Sequence, residues 1–190
     1  MNRAAFLFLV FAFAGNSVAA DYDESILGDL SNDPFAPTTI PIEAGINLIS
    51  ATSGAGDFEY FHIQVPDNHE LSSIVVNDYE NAFGVSFVGV QSGLVFTEPR
   101  QGTDTANLLG YYLFGQSDVN NDVLPLIGTG AGSQGFAPPL PAGDYTFWSQ
   151  DTGGAVDYSF GFEVAQVPEP STATTLVLAT LLAGFCYRKQ

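Results

Sequence analysis

The run Asp144-Tyr145-Thr146-Phe147-Trp148-Ser149-Gln150, the turn Asp151-Thr152-Gly153-Gly154 and the run Val156-Asp157-Tyr158-Ser159-Phe160-Gly161-Phe162-Glu163-Val164 decide the fold class. In the second run Val156, Tyr158, Phe160, Phe162 and Val164 alternate with Asp157, Ser159, Gly161 and Glu163. A period of two marks a strand with one buried face. The Asp-Thr-Gly-Gly turn between the runs predicts an antiparallel hairpin. Trp148 falls on the face opposite Tyr145 and Phe147. It is exposed if one face of the sheet is covered and buried if both are.

Outward from this pair, Phe58–Val65, Leu71–Tyr79 and Phe83–Val90 carry the aromatic and β-branched residues of strands. Leu94–Thr97 and Leu108–Phe114 are shorter candidates. Residues 117–143 are rich in Gly, Pro, Asn and Asp and read as a long loop, with a short strand near Leu124–Ile127. Asp21–Pro41 is polar and broken by Pro34, Pro37 and Pro41. Residues 21–43 therefore read as an extended leader with a short helix near Ser25–Leu30. No long helix is predicted after residue 20 until the C-terminal tail. Short strands separated by turn signals predict an all-β fold, an antiparallel β-sandwich over residues 44–166.

The two ends have a different character. Arg3 precedes an apolar run, Ala4–Ala14, and Val18-Ala19-Ala20 supplies a small-x-small ending. This pattern predicts a signal peptide over residues 1–20, cleaved between Ala20 and Asp21. At the other end, residues 167–190 hold Pro168-Glu169-Pro170, an apolar segment Leu176–Tyr187, and Arg188-Lys189. The apolar segment reads as a short transmembrane helix, and its basic end suits the cytoplasmic side.

Between these ends the charge is one-sided. Residues 21–166 contain 20 of the 21 acidic side chains and a single cation, Arg100. Such a domain repels phosphate, which argues against nucleic-acid binding, and it attracts cations. The only cysteine, Cys186, lies in the tail, so the domain has neither a disulfide nor a thiol nucleophile.

Catalytic patterns are weak. His62 and His69 have no ligand-spaced partners. Gly84-Val85-Ser86-Phe87-Val88-Gly89 puts its second glycine one place too late for a nucleophile elbow. Acid pairs such as Asp57 with Glu59, or Asp78 with Glu80, arise by chance in so acidic a domain. The sequence therefore predicts a non-catalytic protein. As binding residues it offers Asp118, Asn120 and Asp122, whose side-chain oxygens at alternate positions suit calcium, against the simpler reading of an Asx-rich turn. It also offers Trp148, which would stack on a sugar ring if exposed.

The tail resembles the PEP-CTERM sorting signal of Gram-negative and related bacteria, on Pro168, Glu169 and Pro170, the apolar helix, and Arg188 with Lys189. That resemblance implies recognition by an exosortase, transient anchoring in the inner membrane, and delivery to the cell surface or an exopolysaccharide matrix. The middle region resembles pre-peptidase C-terminal (PPC-like) sandwiches, on Gly56–Pro66, Leu140–Phe147 and Tyr158-Ser159-Phe160. Those are accessory modules. The expectation is an exported surface or matrix protein, with a carbohydrate- or calcium-binding matrix module as the alternative.

Overall fold

Eight strands form a hydrogen-bonded sheet that folds over on itself through one long bent strand. The computed structural model describes residues 21–54, 56–81, 84–99 and 103–168. The expected signal peptide with its cleavage point at Ala20, Glu169 and Pro170 of the expected sorting motif, and the expected C-terminal helix lie outside the described residues. Among the described residues, no helix is long and apolar enough to cross a membrane.

In chain order the elements are β1 (Tyr22–Asp23), α1 (Glu24–Leu27), β2 (Thr38–Ile40), β3 (Gly45–Ser53), β4 (Glu59–Tyr79), β5 (Val85–Ser92), β6 (Gly110–Gly115), α2 (Leu124–Ile127), β7 (Leu140–Asp151) and β8 (Val156–Gln166). The pairing order is β1-β3-β8-β4-β7-β5-β6, with β2 added in parallel to β4. Most pairs are antiparallel; β1 runs parallel to β3. The all-β expectation holds, and the only described α-helices are the four-residue turns α1 and α2.

β4 merges two predicted strands. Its first part, Glu59–Val65, pairs with β7, and its later part, His69–Tyr79, pairs with β8. Pro66 and Asn68 look like a turn in the sequence, but here they bend a continuous strand. Asn68 adopts φ 59° and the register with β7 slips between Val65 and Glu70. A bulge of this kind redirects a strand without ending it.

The predicted β7–β8 hairpin does not form, because β4 lies between the two strands. Their aromatic faces meet across the core instead. Phe147 and Phe162 pack edge to face at 5.3 Å, and Phe61 stacks on Phe147 at 5.2 Å. Phe114 of β6 lies 4.8 Å from Phe160 of β8, although three strands separate them in the sheet. The two halves thus enclose one core, consistent with a sandwich. The inward set read in β8 holds: Val156, Tyr158, Phe160, Phe162 and Val164 are all inside, and of the intervening residues only Gly161 is also buried.

Three further expectations change. Residues 124–127 form a helical turn, not a strand. Leu94–Thr97 is irregular; its Phe96 amide donates to the Pro34 carbonyl and its ring is buried. The leader is not separate from the domain, since Tyr22, Leu30, Ile40 and Ile42 join the main core. The long loop packs closely. A Cβ on Gly110 would run into the Ile127 carbonyl, and one on Gly128 into the Phe136 carbonyl.

Truncating Phe162 to Ala should cost about 3–5 kcal/mol, the usual loss for a large buried ring. Ile26→Ala, at a residue that is 78 % exposed, should change stability by no more than about 0.5 kcal/mol. Urea denaturation of the two variants checks the contrast.

Candidate functional site

Both faces of the β4–β7–β5 region are covered, and this decides the fate of Trp148. Its ring is 3 % exposed and sits in a second cluster with Tyr60, Phe96 and Leu108. It stacks on Tyr60 at 5.8 Å, and Phe87 lies 4.8 Å away. Trp148 is therefore a core residue and offers no platform to a sugar. The segment that covers it, around Phe96 and Leu108, carries little periodicity, so no pattern marks the second buried face.

Asp118, Asn120 and Asp122 form a structural turn. Asp118 accepts from the Tyr112 hydroxyl with Oδ1 at 3.2 Å and from the Gly115 amide with Oδ2 at 2.8 Å. Asp122 Oδ1 accepts from the amides of Ile74 and Leu124, each at 3.0 Å. Asn120 adopts φ 65°, a conformation asparagine tolerates, and its amide donates to the Val76 carbonyl. These carboxylates cap backbone groups and tie the loop to β4. His62 is likewise engaged in the fold, with Nε2 3.0 Å from Asp144 Oδ1.

A different group of acids comes together at one end of the core. Glu59 opens β4, and its side chain shares the inward face with Phe61, Ile63 and Val65. It is fully buried, and neither carboxylate oxygen has a hydrogen-bond partner. Above it lies the N-terminal segment. Glu24, the first residue of α1, is half-buried, with Oε2 accepting from the Thr52 amide at 3.0 Å. Asp29 is exposed just after Gly28, a glycine at φ 101° whose carbonyl accepts from the Tyr22 hydroxyl at 2.6 Å. One carboxylate oxygen from each of Glu24, Asp29 and Glu59 lies within 4.8 Å of the others. Asp57, held by the Asn32 side chain at 3.1 Å, adds a fourth acid nearby.

The electrostatics follow from burial. Burial, with the charges of Asp57, Glu24 and Asp29 adding to it, pushes the Glu59 carboxyl up to about 9. Glu24 is also raised, chiefly by burial, and the Thr52 amide opposes the shift. Burial raises the Tyr22 phenol, and Glu24, Asp29 and Glu59 reinforce it. The Tyr158 phenol, wholly enclosed, is raised for the same reason with Glu59 contributing.

Sequence reasoning considered Glu59 only beside Asp57 as an acid pair. The missed signal was its position: an acid on the inward, aromatic face of a strand. Glu24 and Asp29 were missed because the leader was read as lying outside the domain. Comparison with protein-family models and with curated proteins finds no match for this chain.

Glu59 makes stability depend on pH with a definite sign. The folded protein keeps a proton up to about pH 9 that an unfolded chain releases near the ordinary value of 4.5. Its contribution is complete below that ordinary value and is lost as pH rises toward 9. In a chelating buffer, the thermal midpoint should fall between pH 5 and about 9, each unit of difference being worth about 1.4 kcal/mol. Glu59→Gln should flatten that slope in a pH series of thermal melts.

Proposed function

We propose that this chain is an exported, non-catalytic protein of the cell surface or exopolysaccharide matrix, sorted through its C-terminal tail by an exosortase-type system. The observation that carries the proposal is the order of three features in one sequence. An apolar, small-residue-ending N-terminus precedes an acidic β domain, and Pro168-Glu169-Pro170 with an apolar, basic-ended segment follows it.

The domain suits this reading. Its core needs no disulfide, and twenty acids against one arginine keep it solvated and apart from its copies. The PPC-like or jelly-roll-like assignment belongs to the same proposal. It is supported by the two half-sheets packed over a shared aromatic core and by short connections between most strands. The last residues before the sorting motif are anchored, since the Val167 amide donates to the Asn68 carbonyl at 2.8 Å. The tail thus departs from a fixed point at the end of β8. On this reading the partners are the processing enzyme, the membrane before processing, and the exopolysaccharide afterwards.

Mass spectrometry of the protein from membrane, surface and medium fractions of its own host tests the proposal. The expected mature form starts at Asp21 and lacks the apolar segment Leu176–Tyr187. Replacing Pro168, Glu169 and Pro170 together by Ala should leave the tail intact and hold the protein in the membrane fraction. An uncut chain in the cytosol would refute the reading.

A further inference from the structure

We propose that Glu24, Asp29 and Glu59 form a calcium-binding site that fastens the N-terminal segment over the open end of the core. This inference is independent of where the tail sends the protein.

The first argument is an accounting of charge. A fully buried carboxylate without a hydrogen-bond donor is costly unless something compensates it. Neither oxygen of Glu59 has a hydrogen-bond donor among the described residues. Among the described residues there is no lysine or arginine at all. The two histidines are engaged elsewhere, His62 with Asp144 and His69 with the Asp67 carbonyl. Among the described residues, compensation is therefore left to a proton or to a bound cation. The surrounding acids decide between these. A single proton removes one charge and still leaves the other acids of the group facing one another, whereas a divalent ion neutralises two charges at once and can be shared by all three carboxylates.

The second argument is geometry. Calcium binds oxygen at about 2.3–2.6 Å, so two oxygens on opposite sides of one ion stand roughly 5 Å apart. The three carboxylate oxygens lie within 4.8 Å of one another and can all touch a single ion. The donors are all carboxylate oxygens, the set that suits magnesium, calcium and manganese, with no thiolate or imidazole to favour zinc or copper. They come from three separate places, a helical turn, a glycine-hinged loop and a strand end. Such a set suits the irregular six- to eight-oxygen shell of calcium better than the strict octahedron of magnesium. Burial is graded from exposed Asp29 through half-buried Glu24 to enclosed Glu59, which gives an ion a path inward and leaves its outer side to water.

The test is calorimetric titration of the purified full-length chain with CaCl2, beside thermal melts in EGTA and in 5 mM CaCl2. One calcium per chain should bind, with Kd near or below about 10⁻⁴ M. The thermal midpoint should rise by about 5 °C or more. Glu59→Gln, an uncharged isostere, should remain folded in EGTA and lose both responses. Asp122→Asn, in the loop turn, should keep them. Absence of heat and of a midpoint shift in the folded wild type would overturn the proposal. So would an equal shift with MgCl2, a response that survives Glu59→Gln, or one that Asp122→Asn abolishes.

Discussion

The architecture depends on the bend in β4. One strand of 21 residues gives its first part to β7 and its later part to β8. This single covalent element holds both half-sheets in register with each other. Phe61 and Phe147 are cross-strand partners in the β4–β7 ladder, and the bend of β4 at Pro66–Asn68 brings Phe162 of β8 against both of them across the core. Each of these rings contributes about 1.5–3 kcal/mol by leaving water. The fold thus rests on a local irregularity that redirects the chain, and on a core that rewards the new direction.

This explains what could be read in the sequence. The inward residues of β8 were legible because alternation is a local property of a half-buried strand. Strand pairing was not, because the Asp151–Gly154 turn looks the same whether it closes a hairpin or carries the chain across to the other half-sheet. The break at Pro66-Asp67-Asn68 was overread: proline and asparagine signal a change of direction, and a change of direction is not an end. Trp148 could be assigned to a face but not to an environment, since its cover comes from Phe96 and Leu108, distant in sequence. The acidic cluster was hidden for a related reason. Two of its members, Glu24 and Asp29, are contributed by a stretch that seemed polar and external, yet it places Tyr22 and Leu30 in the core.

Acidity itself has two meanings in this molecule. Most carboxylates are at the surface or cap backbone amides, as Asp118 and Asp122 do, and there they are solvated or satisfied. Glu59 is neither. A residue so poorly suited to its surroundings is the clearest departure from the otherwise consistent agreement between pattern and fold, and such departures concentrate where a protein does something other than fold.

The pairing of β3 with β8 has a consequence for how the molecule comes into being. Gly45 lies opposite Val164, and the register runs without interruption to Ser53 opposite Val156. The first long strand therefore waits for the last one, and no nascent chain lacking its final residues can close the sheet. Contacts so distant along the chain make folding slow. A polypeptide of this topology completes its sheet only once its last strand has been made, whatever the order in which its earlier parts collapse.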